Sequence, residues 1–496
     1  MSASKQKKLR SNSDAVDKKV IAAQEKAVKD KKFRRNVVIF VVIFALLIAV
    51  AVFINSNALA KLTAVEVNGT KYSAVELNFY YTAAYNQFYE QYSDYIAYFI
   101  DTSTPLNMQE CTIAESGTWA DHFTEEALAL MEESTALYNL AIANGYTIDE
   151  EISNAAQSNI TYLETVAKAY GYASVDAYLE ANYCKGMTAE TYIDVSSKYM
   201  LATKYASECY YSFEYTPEQL DAAYAEVADT YDSFTYNFYY IAASSDAYAS
   251  IETDEAKLAA AEADAQKFLA ATSEEEFNAI AAEISGNEPA DSKTTTAGSG
   301  LISSYSEWMM DAARTEGDVY TVSTTSGVYA VRFIGRESCE YNTVNVRHIL
   351  VSAELGEDGT ASAEALAEAY MKAEELYNEW KLNPTEENFI AMANEHSDDT
   401  AVDGLYEKVY KNQMVAEFNS FCFGEPRQTG DTALIYGSNG AYAGYHIVYF
   451  VGENEMYSRL IGDGSLRNND YNAFIAEATA NSSAELKWAS RFAALD

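Results

Sequence analysis

Asn345-Val346-Arg347-His348-Ile349-Leu350-Val351-Ser352 is the stretch that decides the fold. It alternates, it is rich in β-branched residues, and it predicts a short strand carrying one of only four histidines in the chain. About a hundred residues on, Gly444-Tyr445-His446-Ile447-Val448-Tyr449-Phe450 predicts a second strand with a second histidine. Two histidines on two strands that bracket one unit mark a site. Outward from that pair, the chain repeats itself.

Thr235–Ala242 aligns without gaps on Thr343–Leu350, and a helix is predicted after each, near 253–271 and 361–381. Ser273-Glu274-Glu275-Glu276-Phe277 matches Thr385-Glu386-Glu387-Asn388-Phe389, and Gly317-Asp318 matches Gly430-Asp431. Gly327–Gly335 matches Gly444–Gly452. Two α+β units therefore stand in tandem, at 233–337 and 342–453. On this alignment His348 faces Tyr240, His446 faces Tyr329, and Asp399 faces Asn287. A duplicated unit that loses both histidines together has kept a function in one copy and dropped it in the other.

Before the repeats, residues 62–78 predict a strand pair turning at Asn68-Gly69. The period then becomes helical, with segments near 75–100, 119–144, 148–170, 174–184, 188–210 and 217–231. Caps are expected at Thr147, Ser174 and Thr216, the last followed by Pro217. This lobe, 57–232, is dense in tyrosine: Tyr80, Tyr81, Tyr85, Tyr89, Tyr92, Tyr95 and Tyr98 lie on one segment. A core stripe explains any one of them; together they also fit a surface that grips extended peptides. After the repeats, 454–496 predicts a C-terminal helix over about 467–493.

Charge divides the chain unevenly. Of 496 residues with net charge −40, residues 1–36 hold twelve Lys/Arg against four acids. The remainder holds 22 Lys/Arg against 70 Asp/Glu, a poor match for nucleic acid. Between the two lies Val37–Ile54, eighteen apolar residues without a charge, about 27 Å as a helix. With Lys31, Lys32, Arg34 and Arg35 on its N-terminal side, 37–54 is read as a membrane-spanning signal anchor. The basic tail is then cytoplasmic and the bulk of the chain extracytoplasmic. A cleaved signal peptide is the alternative, with Ala58-Leu59-Ala60 as the cleavage pattern. Cys111, Cys184, Cys209, Cys339 and Cys422 are odd in number and widely spaced, which fits neither a disulfide framework nor a zinc site, though a Cys184–Cys209 bridge stays open. No H-x-x-x-H spacing marks a metal, and no G-x-S-x-G elbow marks a serine hydrolase.

The second repeat resembles a parvulin-type peptidyl-prolyl cis/trans isomerase domain. The resemblance rests on the strand Asn345–Val351, the turn Ser397-Asp398-Asp399, the segment Gln413-Met414-Val415-Ala416-Glu417-Phe418, and the closing Gly444-Tyr445-His446-Ile447, in the family's order. The arrangement of membrane tether, helical chaperone lobe and parvulin units resembles extracytoplasmic secretion foldases of the PrsA type. The resemblance implies a histidine pair, His348 and His446, with Asp399 opposite the prolyl carbonyl. It also implies a proline pocket lined by Met414, Phe418 and Tyr406, with no cofactor and no metal. Met414 and Phe418, four apart, are expected on one helix face. Three departures are visible: the family's Gly-Gly-Asp-Leu-Gly loop is represented only by Asp403-Gly404-Leu405-Tyr406, Tyr406 stands where the family usually has Leu, and Ala443 lacks a hydroxyl that some members carry there. The implied partners are unfolded or extended clients containing X-Pro, and the implied function is foldase and isomerase. A non-catalytic membrane-anchored holdase, or an envelope-assembly component with one dedicated partner, are the competing readings.

Overall fold

The computed structural model describes residues 26, 29, 31–48, 57–287, 291–356, 358–493 and 495. Residues 31–48 are helical with exposed apolar side chains. Among the described residues no helix is long and apolar enough to cross a membrane. The expected span 37–54 ends in residues 49–54, which lie outside the described ones. From there the chain forms two compact units, one of residues up to Ser212 together with Tyr471 onward, the other Phe213–Asp470.

The first unit begins with strands β1 (Thr63–Val67) and β2 (Thr70–Ser73). Asn68 (φ 48°) and Gly69 (φ 87°) both take the positive φ that a two-residue hairpin requires. Ser73 then caps helix α1 (Ala74–Gln91): its hydroxyl accepts from the Glu76 N–H, and the Glu76 carboxylate accepts from the Ser73 N–H at 2.7 Å. Helix α1 stops at Gln91 rather than reaching 100, and short turns follow. Val75, Leu77, Tyr80 and Tyr81 of α1 share a core with Trp119, Phe123 and Met131 of α2 (Trp119–Ala143). Tyr95 and Tyr98 are exposed, so the tyrosine-rich segment divides between core and surface. Helices α3 (Glu150–Ala169), α4 (Val175–Asn182) and α5 (Ala189–Ser212) complete this part. The cap of α3 is Asp149, not Thr147. Asp149 adjoins the helix, and its carboxylate accepts from Ile152 N–H at 2.9 Å while also holding Lys204 at 3.0 Å.

The second unit opens with α6 (Pro217–Tyr231), capped by Thr216. The first repeat follows: β3 (Ser233–Ala242), α7 (Asp254–Ala265), α8 (Glu274–Ser285), β4 (Lys293–Ala297), α9 (Ser303–Met310), β5 (Val319–Ser323) and β6 (Gly327–Glu337). The second repeat has the same order: β7 (Asn342–Ser352), α10 (Ala363–Trp380), α11 (Glu386–His396), β8 (Leu405–Val409), α12 (Ala416–Phe423), β9 (Thr432–Ser438) and β10 (Ala443–Met456). Each forms a four-stranded antiparallel sheet of the same topology, β4-β3-β6-β5 and β8-β7-β10-β9. One face of the second sheet carries Ile349, Val351 and Ile447 against α10 and α11; the other carries Val346, Val448 and Phe450 against α12.

Strand register corrects the repeat alignment. Gly317 N–H donates to Phe333 O and Gly430 N–H to Phe450 O, so Phe333 and Phe450 are counterparts, as the closing strands align. Phe333, however, pairs with Tyr236, whereas Phe450 pairs with Val346. The opening strands are therefore offset by two residues from the gapless alignment. The counterpart of His348 is Phe238, and Tyr240 corresponds to Leu350. A slip of two keeps every side chain on its own face, so the alternation of apolar residues cannot reveal it.

The chain returns to the first unit within α13 (Tyr457–Thr479), where Tyr471, Phe474 and Ile475 pack on Leu137, Ala202 and Ala206. The expected helix over 467–493 ends at Thr479. Asn481-Ser482-Ser483 turns the chain, and β11 (Ala484–Leu486) pairs with β1. This small strand covers an edge that β1 would otherwise leave unpaired. All five cysteines are free, Cys184 and Cys209 included.

Candidate active site

His348 on β7 and His446 on β10 are diagonal neighbours, since His348 pairs with Val448 and His446 with Leu350. Each is 4% exposed. Their rings lie nearly parallel at 17° with Nδ1 to Nδ1 at 3.0 Å, so one nitrogen donates and the other accepts. Phe418 of α12 meets both rings edge-on, at 5.9 Å from His348 and 5.8 Å from His446. On β9, Gly437 leaves room for the pair: a Cβ there would stand 2.8 Å from His446 Nε2.

The outer nitrogens have different neighbours. His446 Nε2 is 3.0 Å from the Tyr442 hydroxyl. His348 Nε2 is 3.5 Å from Asp399 Oδ2 without an aligned hydrogen bond. The carboxylate's charge selects the tautomers. A lone pair on His348 Nε2 facing Asp399 is repulsive, whereas an N–H there is attracted. With Nε2–H on His348, its Nδ1 accepts from His446 Nδ1–H, and His446 Nε2 accepts from Tyr442 O–H. The result is a one-way chain, Tyr442 to His446 to His348, ending toward Asp399.

Both imidazoles are held neutral. Burial lowers the pKa of His348 below the ordinary value and outweighs the opposing charge of Asp399. Burial, with the neighbouring His348, lowers His446 to about 4.

Asp399 follows α11 in a tightly bonded turn. Ser397 Oγ accepts from Leu350 N–H at 3.0 Å and from Asp399 N–H at 3.1 Å, tying the turn to β7. Asp398 accepts from Ser352 N–H at 2.7 Å. Asp399 itself accepts from Ala401 N–H at 2.8 Å and from the Tyr406 hydroxyl at 3.1 and 3.2 Å. Burial, followed by Asp399, raises the Tyr406 pKa, so the phenol keeps its proton and donates. Tyr406 also packs edge-on against His348 at 5.1 Å. The loop leading to it needs Gly404, at φ +61°, because a Cβ there would lie 2.5 Å from His348 O.

The structure thus brings together His348, His446, Asp399, Tyr406 and Phe418. Met414 packs, half-buried, on the same apolar cluster as Phe418, but the two do not share a helix face. Helix α12 starts at Ala416, because Tyr410–Gln413 closes as a separate turn with Gln413 N–H donating to Tyr410 O. Two residues were not anticipated. Tyr442 supplies, from one position earlier, the hydroxyl that Ala443 lacks; a hydroxyl four residues before the histidine was the available signal. Arg347, buried on β7, donates to Glu386 at 2.9 Å and to Asp403 O at 2.9 Å, clamping the loop before Tyr406. His122 packs among Phe88, Trp119 and Phe123 in the first unit. Among the described residues no His/Cys/Asp/Glu cluster could hold a metal ion.

Residues 328–451 match the family described as the PPIC-type PPIASE domain. No curated protein matches the chain. Among solved structures the chain is similar to the peptidylprolyl isomerase PrsA of Bacillus anthracis, at 18% identity and TM-score 0.18, covering 28% of this chain and 58% of that one. It is similar to PrsA of Bacillus subtilis at 15% identity and TM-score 0.27, covering 74% and 88%. It is also similar to SurA-like chaperones of Campylobacter jejuni at 14% identity and TM-score 0.16, covering 42% and 78%.

Proposed function

We propose, from the premise that this chain carries a PPIC-type peptidyl-prolyl cis/trans isomerase domain, that it is a membrane-anchored extracytoplasmic foldase whose second repeat isomerises X-Pro bonds in extended clients. The observation that carries the reading is the neutral chain Tyr442–His446–His348 aimed at Asp399 beside Phe418.

Rotation about an X-Pro bond faces amide resonance of about 18–20 kcal/mol and breaks no bond. A site assists by binding the twisted amide better than either planar form. Half-buried Met414 and Tyr406, packed on the buried Phe418, offer with it an apolar wall for the pyrrolidine ring. Asp399 places negative charge near the swinging carbonyl oxygen, which disfavours the resonance form that charges that oxygen. The histidine pair holds the floor of the site and, being neutral, adds no cation to stabilise the planar amide. His348, His446 and Asp399 are the catalytic assignments, and Tyr406, Met414 and Phe418 the substrate-binding ones.

The anchor rests on the uncharged run Val37–Ile54 and the four cations on its N-terminal flank. The holdase reading is favoured for the first repeat, where Phe238 and Tyr329 stand at the histidine positions, packed at 5.8 Å. The test is refolding of a client limited by a proline isomerisation, in the presence of the full chain. Acceleration that is lost in Phe418→Ala supports the reading. Suppressed aggregation with an unchanged refolding rate favours the holdase alone.

A further inference from the structure

Away from the histidine pair, a cavity of about 520 Å³ opens between the two repeats of the second unit. One wall is strand β4 of the first repeat, and the other is the turn after β8 of the second. Strand β4 is the end strand of its sheet, paired only with β3. Phe238 N–H donates to Ser292 O and Gly298 N–H to Asp232 O, so the even-numbered residues of β4 bond to β3. The odd-numbered residues then direct their N–H and C=O groups away from the sheet. Lys293 uses its N–H on Asp291. Thr295 and the Ala297 N–H have no such partner among the described residues, whereas the Ala297 carbonyl caps the 3-10 turn Gly298–Gly300; both residues line the cavity. Facing them are Tyr231, Tyr341, Tyr410 and Tyr457, with Tyr410 and Tyr457 stacked at 4.4 Å.

We infer that this cleft is a second polypeptide-binding site, in which an extended, proline-free segment pairs with β4. The outward N–H and C=O of Thr295 and the outward N–H of Ala297 match a ligand that presents complementary groups at the same spacing, which an extended backbone does. The tyrosine wall takes the side chains that alternate toward it. Charge narrows the ligand further. Lys411, the only cation lining the cavity, is bonded to Glu337 and lies over the Tyr341 ring at 4.5 Å. No free cation among the lining residues greets an acidic segment, and the chain carries a net −40. The segment is therefore neutral or basic. Such a site would hold a client chain independently of the prolyl site.

The test uses the full chain and a fluorescein-labelled, proline-free peptide of nine residues, alternating threonine with valine or phenylalanine and carrying one lysine, read by anisotropy. Two further peptides are N-methylated at alternate amides, one set in each register. Pairing with β4 predicts that one methylated peptide binds about tenfold more weakly while the other keeps its affinity. Ala297→Pro removes one outward donor where the backbone already sits at φ −63°, and it should weaken the parent peptide by about the same factor. Equal binding of both methylated peptides and no effect of Ala297→Pro would overturn the site. So would binding that an Ala-Pro peptide displaces and that Phe418→Ala abolishes, because the ligand would then occupy the prolyl pocket. The two methylated peptides need no variant, so misfolding of Ala297→Pro leaves the test intact.

Discussion

Replacing Tyr442 with Phe removes one oxygen atom and keeps the ring that meets His446 edge-on at 5.6 Å. The lost hydroxyl is the donor to His446 Nε2, at 3.0 Å on a residue 4% exposed. A buried acceptor stripped of its partner costs about 1–3 kcal/mol. Tyr442 is itself half-buried, so water reaches part of the space and the lower end, about 1 kcal/mol, is expected. The larger consequence is orientational. Without the Tyr442 donor, His446 is free to take the other tautomer, which reverses the chain and turns a lone pair of His348 toward Asp399. Denaturant unfolding should therefore show a lower midpoint at unchanged slope. Isomerisation of an Ala-Pro peptide should lose kcat more than it gains KM. Tyr436→Phe, on the neighbouring strand with no hydrogen bond to either histidine, is the control. If Tyr442→Phe and Tyr436→Phe behave alike in both assays, the one-way chain is wrong.

The pair should stay neutral through the physiological range. With only four histidines in the chain, imidazole NMR resonances can be assigned by substitution, and His446 should titrate near pH 4. The lowered pKa also sets a pH dependence of stability. The contribution is fully present above the unfolded value of 6.5 and is lost as pH falls toward 4, by about 3 kcal/mol for His446. Unfolding midpoints that are flat between pH 7 and 4.5 would contradict this. Gly404→Ala should destabilise by roughly 2–4 kcal/mol, since it combines a left-handed backbone with a Cβ 2.5 Å from His348 O, and calorimetry on the full chain measures it. Native Cys184 and Cys422, buried and raised to about 12, should resist thiol reagents at pH 8 until unfolding, with the half-exposed Cys209 reacting first in a timed labelling experiment.

How far the sequence could be read follows from what each signal depends on. The hairpin at Asn68-Gly69 and the caps at Ser174 and Thr216 are local chemistry, and they stand where the residues placed them. The histidine pair was legible because a duplicated unit supplies its own comparison. The register of that comparison was not. A two-residue slip leaves the alternation of buried side chains unchanged, and only the ladder of hydrogen bonds identified Phe238 as the counterpart of His348. Met414 and Phe418 illustrate a second limit, because spacing of four implies one helix face only if the helix includes both residues. The tail illustrates a third. Ala484–Leu486 is strand only because β1 offers an edge more than four hundred residues earlier, a tertiary pairing that local periodicity does not contain. Tyr442 escaped notice for a related reason: its hydroxyl reaches His446 through a turn bonded at Asn439, not through the strand on which the histidine sits.

The central claim is that the second repeat speeds X-Pro rotation through His348, His446, Asp399 and Phe418. The direct measurement is kcat/KM of the full chain on an Ala-Pro peptide, beside the His446→Ala, Asp399→Ala and Tyr240→Phe variants. A rate at least a hundredfold above the uncatalysed one corresponds to about 2.7 kcal/mol of barrier lowering. The account predicts that level for the parent chain and for Tyr240→Phe, with a loss of tenfold or more in the other two. Full activity in His446→Ala and Asp399→Ala, or an equal loss in Tyr240→Phe, would contradict it.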